Sequence, residues 1–116
     1  MGRLTTHVLD THLGKPAAGM EIELWRLGAD AHHVRSLRTN ADGRVDGPIL
    51  EGEALTKGHY ELRFHVGPYL KAQGQKLAEP LFLDIIPIRF GISDPGAHYH
   101  VPLLVSAHGY STYRGS

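Results

Sequence analysis

Apolar and polar residues take turns along most of this chain in short runs, and each run stops at Gly, Pro, Asn or Asp. Period-two alternation marks strands with one buried face, and those four residues mark the turns between strands. A first strand is expected over "LTTHVLD", Leu4 to Asp10, with "THLGKPAAG" as a loop after it. "MEIELWRL" sets Met20, Ile22 and Leu24 against Glu21, Glu23 and Trp25. "HVRSLRT" reads as a weaker strand, "NADGR" as a tight turn, and Val45 to Leu50 as a short run. "HYELRFHVG" sets Tyr60, Leu62, Phe64 and Val66 against Glu61, Arg63 and His65. "GPYLKAQGQ" predicts one or two helical turns, and "LFLDIIPIRFGI" a strand that Pro87 marks as an edge or an irregularity. "HYHVPLLVSAHGYSTYRG" predicts two strands around a bend near Ala107–Gly109. About eight short strands and one brief helix predict an all-β, two-sheet sandwich.

Strand side chains alternate between faces, so the pattern also sorts the polar residues. Thr6 and Val8 share one face of the first strand, and Thr5, His7 and Leu9 the other. In "HYHVPLLV", Tyr99, Val101, Leu103 and Val105 form an apolar face that suits the core. His98, His100, Pro102 and Leu104 lie opposite. In the last strand Ser111 and Tyr113 share a face, against Tyr110, Thr112 and Arg114. Two strands therefore carry histidines away from the core, and adjacency of those strands would bring them together.

Composition narrows the chemistry. The length, 116 residues, suits a single domain over residues 1–116. Lys+Arg and Asp+Glu are 12 each, a neutral balance that gives nucleic acid and anionic membranes no reason to bind. The absence of cysteine excludes disulfides, thiolate metal sites and cysteine nucleophiles. No secretory signal or long apolar span is expected, which makes the cytoplasm the default location. Histidine is the unusual component, at nine residues. His98 and His100 share a face, but zinc normally takes three or four ligands, so no metal site is assigned.

"HVLDTHLGKPAAGMEI" resembles the opening signature of the transthyretin family, and "HYHVPLLVSAHGYSTYRGS" its closing one. The resemblance runs over essentially the whole chain and includes "NADGR". Four separated features resemble the hydroxyisourate-hydrolysing branch of that family and not its hormone carrier. They are His7 in "HVLD", Arg44 in "DGR", His100 in "HYH" and the ending "YRGS". Ala107–His108 departs from the pattern, because family members more often carry proline or glutamine followed by an aromatic there.

The resemblance implies an eight-stranded, two-sheet transthyretin-like sandwich with a short helix after the fifth strand. It implies that the first, fourth, seventh and eighth strands share a sheet, with Arg44 at the fourth strand's start. It also implies a homotetramer, a dimer of dimers, with active sites in a channel between dimers. The implied reaction is hydrolytic opening of 5-hydroxyisourate to 2-oxo-4-hydroxy-4-carboxy-5-ureidoimidazoline in urate degradation, with no cofactor. His7, Arg44, His100 and Ser116 are the implied catalytic residues, and either histidine can serve as the base. Tyr113 would floor the channel, with Arg114, Gly115, His98 and Ser111 around the substrate. The alternative is a carrier of a small, thyroid-hormone-like ligand on the same fold.

Overall fold

The computed structural model describes residues 1–115. Two layers of strands enclose one core. The first layer is antiparallel, in the order β5 (Ala31–Arg38), β4 (Glu21–Leu27), β7 (Gly58–His65), β8 (Ile85–Ile92). Its register lines up Ile22, Phe64 and Ile86, and next to them Leu24, Leu62 and Ile88. All six are buried, so alternation becomes rungs of apolar side chains facing inward. Pro87 sits on β8, an edge strand. The helix α1 (Val66–Ala72) follows β7 directly and buries Val66, Gly67, Tyr69 and Leu70.

The second layer is pinched in the middle. On one side of the pinch β6 (Leu50–Glu51) pairs with β1 (Arg3–Thr5), and β1 runs parallel to β9 (His98–His100). On the other side β2 (Val8–Asp10) runs parallel to β10 (Leu103–Val105), flanked by β3 (Lys15–Pro16) and β11 (Tyr110–Thr112). Backbone bonds from Val101 N–H to the Thr5 carbonyl and from Leu103 N–H to the His7 carbonyl, each 2.9 Å, carry the pairing across. Among the described residues, counting β1–β2 as one strand and β9–β10 as another leaves eight strands plus the two-residue β3. The helix then follows the fifth of the eight, and the first, fourth, seventh and eighth share this layer.

The expected strand Leu4–Asp10 is thus broken at Thr6–His7, and its partner at Val101–Pro102. Pro102 has no N–H for the ladder, and the buried Thr6 hydroxyl donates to the Val101 carbonyl at 2.7 Å. The run Val45–Leu50 is strand only at Leu50, because Gly47 (φ 75°) and Pro48 turn the chain there. Arg44 correspondingly lies in the preceding turn and does not start a strand. Asp10, read only as the end of the first run, is buried. Its Oδ1 accepts the N–H groups of His12 and Leu13, and its Oδ2 accepts the Tyr69 hydroxyl at 2.7 Å, which clips α1 to β2.

Candidate active site

The pinch gathers part of the candidate set: Arg44, His98 and His100 line a cleft there, and His7 lies in the adjoining break without lining it. Outward-facing Thr5, just before the break in the first strand, and His7, within it, are half-buried. His100 ends β9 directly opposite Thr5. The turn 40–44 docks onto the same break through a bond from the Val8 N–H to the Gly43 carbonyl, 2.8 Å. Gly43 has φ 75°, and a Cβ there would collide with the Val8 carbonyl, so glycine alone permits this approach.

Asn40 organises that turn. Its Oδ1 accepts the N–H of Asp42 (2.9 Å) and of Arg44 (3.2 Å), and its own N–H donates to the Arg44 carbonyl (2.7 Å). Its Nδ2 donates to Asp46 Oδ1 at 3.0 Å. Arg44 is therefore delivered by a side-chain-capped turn. The same turn holds His7, whose Nε2 lies 2.8 Å from the Asp42 carbonyl oxygen. A carbonyl only accepts, so this nitrogen carries the proton.

Arg44 and His100 line one open cleft of about 390 Å3, together with Arg3, Thr5 and His98. The His100 Nδ1 is 2.8 Å from the Thr5 hydroxyl. Burial first, then the charge of Arg44, then His7, holds the His100 imidazole below the ordinary histidine value. Both groups thus act on His100, and the ring is kept neutral near pH 7. His98 is exposed, and its Nε2 donates to the Met1 carbonyl at 3.1 Å.

The tail divides between two places. Gly115 bridges to His100, with its N–H donating to the His100 carbonyl at 2.7 Å. Tyr113 and Arg114 line a neighbouring hollow at the open edge of the sandwich, with Ile88, Phe90 and Tyr99. Arg114 lies over the Tyr99 ring at 4.1 Å and reaches back to the His98 carbonyl at 3.2 Å. Ser111 is exposed on β11 opposite Leu104. Ser116, expected among the catalytic residues, lies outside the described residues.

Three contributors carry little signal in the sequence. Thr5 shares the outward face of His7, and that shared face is its one signal. Asn40 and Asp42 read there only as turn chemistry. Among the described residues, His98 and His100 belong to no three-ligand cluster. Glu21, Glu23 and His65 bring their ligand atoms within 4.8 Å of one another on the other layer, where His65 Nε2 is 3.4 Å from Glu23.

With this geometry in view, known proteins place the chain. It is 60% identical over 116 residues to "5-hydroxyisourate hydrolase 2" of Rhizobium meliloti (strain 1021), covering 99% of this chain and 97% of the relative. The solved structure of an (S)-allantoin synthase superposes with a TM-score of 0.95 and 50% identity over 99% of this chain; the chain spans only 44% of that longer protein. The 5-hydroxyisourate hydrolase of Klebsiella pneumoniae superposes with a TM-score of 0.83 and 34% identity, each chain covered in full. A model of the HIUase/Transthyretin family matches residues 4–115, and the chain belongs to that family.

Proposed function

We propose that this chain is a 5-hydroxyisourate hydrolase acting in urate degradation, through a site built on His7, Arg44 and His100. The observation that carries the reading is the meeting of a guanidinium and a neutral imidazole in one cleft, with a second imidazole within electrostatic reach. The relatives named above supply the substrate. The reaction opens a ring by adding water to a carbonyl carbon and breaking the adjoining C–N bond. It needs a base for the water and a cation for the oxyanion. A neutral imidazole within hydrogen-bond reach of water typically contributes about 10²–10⁴ in rate. Arg44, always charged and with a planar fork of donors, holds the substrate's oxygens and offsets charge on the attacked one. Ser116 completes the hydrogen bonding in this reading.

We also propose that residues 1–116 act as one domain in a homotetramer, a dimer of dimers, in the cytoplasm. The open edges support the assembly: β8 and β11 each end a sheet, and Tyr110 on β11 and Tyr113 just after it are 47% and 59% exposed. In that tetramer His7, His100, Ser111 and Tyr113 would face the inter-dimer channel. Among the described residues, no helix is long and apolar enough to cross a membrane.

The test is the ultraviolet absorbance of freshly generated 5-hydroxyisourate, followed with and without the protein. Accelerated, stereoselective decay is expected. A spontaneous rate, with thyroxine bound instead, would make the protein a carrier.

A further inference from the structure

The two histidines are held by different chemistry. His7 gives Nε2 to a carbonyl, which can only accept. His100 gives Nδ1 to the Thr5 hydroxyl, which can accept or donate. Thr5 stands opposite His100 in the β1–β9 register, so the sheet itself sets this contact. On the other flank of the ring, a Cβ at Gly115 would stand 2.6 Å from Cδ2 and 3.1 Å from Cγ. The imidazole is gripped between a hydroxyl and a bare backbone. Its Nε2 has no hydrogen bond to any other described residue.

We propose that Thr5 is a positioning residue that sets the tautomer of His100: its oxygen accepts the Nδ1 proton, leaving the Nε2 lone pair to take a proton from water. This rests on the hydrolase reading above. Arg44 lines the same cleft as a fixed cation that only donates, which favours a lone pair over an N–H facing into it. The hydroxyl's own proton remains free for cleft water, since half-exposed Thr5 makes no other side-chain hydrogen bond among the described residues. In the step assigned here, an O–H bond of water breaks and its proton bonds to Nε2. The oxygen bonds to the substrate carbonyl carbon, and the carbonyl π pair moves onto oxygen, facing Arg44. Nδ1–H stays on Thr5 throughout, so one contact serves the ring before and after proton uptake.

The experiment compares the parent, Thr5→Val and Thr5→Ser with 15N-labelled histidine. Long-range 1H–15N correlation near pH 7.5 reads the tautomer, and 5-hydroxyisourate decay reads turnover. His100 signals are assigned by difference against His100→Gln. The parent should carry the His100 proton on Nδ1. Thr5→Val should move it toward Nε2 and lower kcat at least tenfold, with KM within threefold. Thr5→Ser should keep both tautomer and rate. A parent ring protonated on Nε2 overturns the proposal, whatever the valine variant does. So does an unmoved tautomer in Thr5→Val, a moved tautomer with full turnover, or a serine variant that behaves like valine. If Thr5→Val does not fold, by near-ultraviolet circular dichroism, the parent tautomer and Thr5→Ser decide. A parent that shows Nδ1–H but leaves hydroxyisourate decay unchanged sinks the hydrolase reading and not the tautomer.

Discussion

Gly115 and His100 are partners in an antiparallel bridge, and the ring of one occupies the space a side chain on the other would need. The tail's glycine is thereby tied to the candidate base by backbone and by shape. Gly115→Ala would place a Cβ 2.6 Å from His100 Cδ2, tighter than real contacts allow, so the ring must turn or the tail must lift. Misplacing a catalytic group by about 1 Å can cost on the order of 10²-fold in rate. The alanine variant should lose at least tenfold in kcat while its melting temperature stays within a few degrees. Absorbance kinetics beside thermal denaturation would check this, and an alanine variant at full rate would contradict it.

His7, Arg44 and His100 should behave as a unit. Alanine at any one is expected to remove most turnover, by about 10²-fold or more for a lost acid–base or charge-stabilising group. Sedimentation should show the assembly unchanged in all three. Two alanines together should cost little more than one, because groups that act in one step are not additive. A His100→Ala protein at the parent rate would remove this assignment.

Much of this arrangement was legible in the sequence, for physical reasons. Leu4, Thr6, Val8 and Asp10 turn inward and Thr5, His7 and Leu9 outward, as period-two geometry requires even across a broken ladder. Tyr99, Val101, Leu103 and Val105 are all buried for the same reason. Periodicity cannot tell which strands are neighbours, so it could not bring His7 beside His100; only the family resemblance suggested it. Nor does alternation see what a polar residue does once inside. Asp10 and Glu61 are buried because they collect donors from Tyr69 and from Arg63 and Arg89, contacts made 59, 2 and 28 residues away. The tail's division, with Gly115 against His100 and Arg114 over Tyr99, depends on side-chain shape that no pattern of polarity encodes.

The Asp10–Tyr69 pair serves as a structural control. The Tyr69 hydroxyl donates to Asp10 Oδ2 at 2.7 Å inside the core. Burial, then this bond, then the carboxylate's charge, pushes the phenol far above the ordinary tyrosine value. Tyr69→Phe leaves that carboxylate oxygen without its donor, at a cost of about 1–3 kcal/mol. Urea denaturation should show the loss, with kcat within twofold of the parent. A large fall in kcat at unchanged stability would mean that the pair reaches the active site.

His100 should titrate below about 6.5, the ordinary histidine value. Burial is the largest cause, so Arg44→Met should raise the value only part of the way back, which imidazole resonances in a pH series would reveal. The folded protein then binds fewer protons at His100 than the unfolded chain between the lowered value and about 6.5. This contribution to stability is complete above about 6.5 and is lost as pH falls through the lowered value. Activity should fall in the same direction, since the protonated ring is no base. An acid limb of kcat/KM above 6.5, or a His100 value that falls when Arg44 is removed, would contradict both statements.

Asn40 offers the last test, because one side chain holds the turn that carries Arg44 and the carbonyl that holds His7. Asn40→Ala removes an acceptor shared by two backbone N–H groups and frees Asp46 from Nδ2. These groups are exposed and can turn to water, so the stability cost should be about 1 kcal/mol. Turnover should suffer more, because the guanidinium and the His7 ring lose their seat together. Asn40→Asp separates the two effects. It keeps the oxygen for the Asp42 and Arg44 N–H groups but replaces the Nδ2 donor with a second acceptor facing Asp46. It should therefore retain most turnover at modest ionic strength, with stability that improves as salt screens the two carboxylates. An aspartate variant as inactive as the alanine variant, though folded, would show that the Asn40 oxygen is not what seats Arg44.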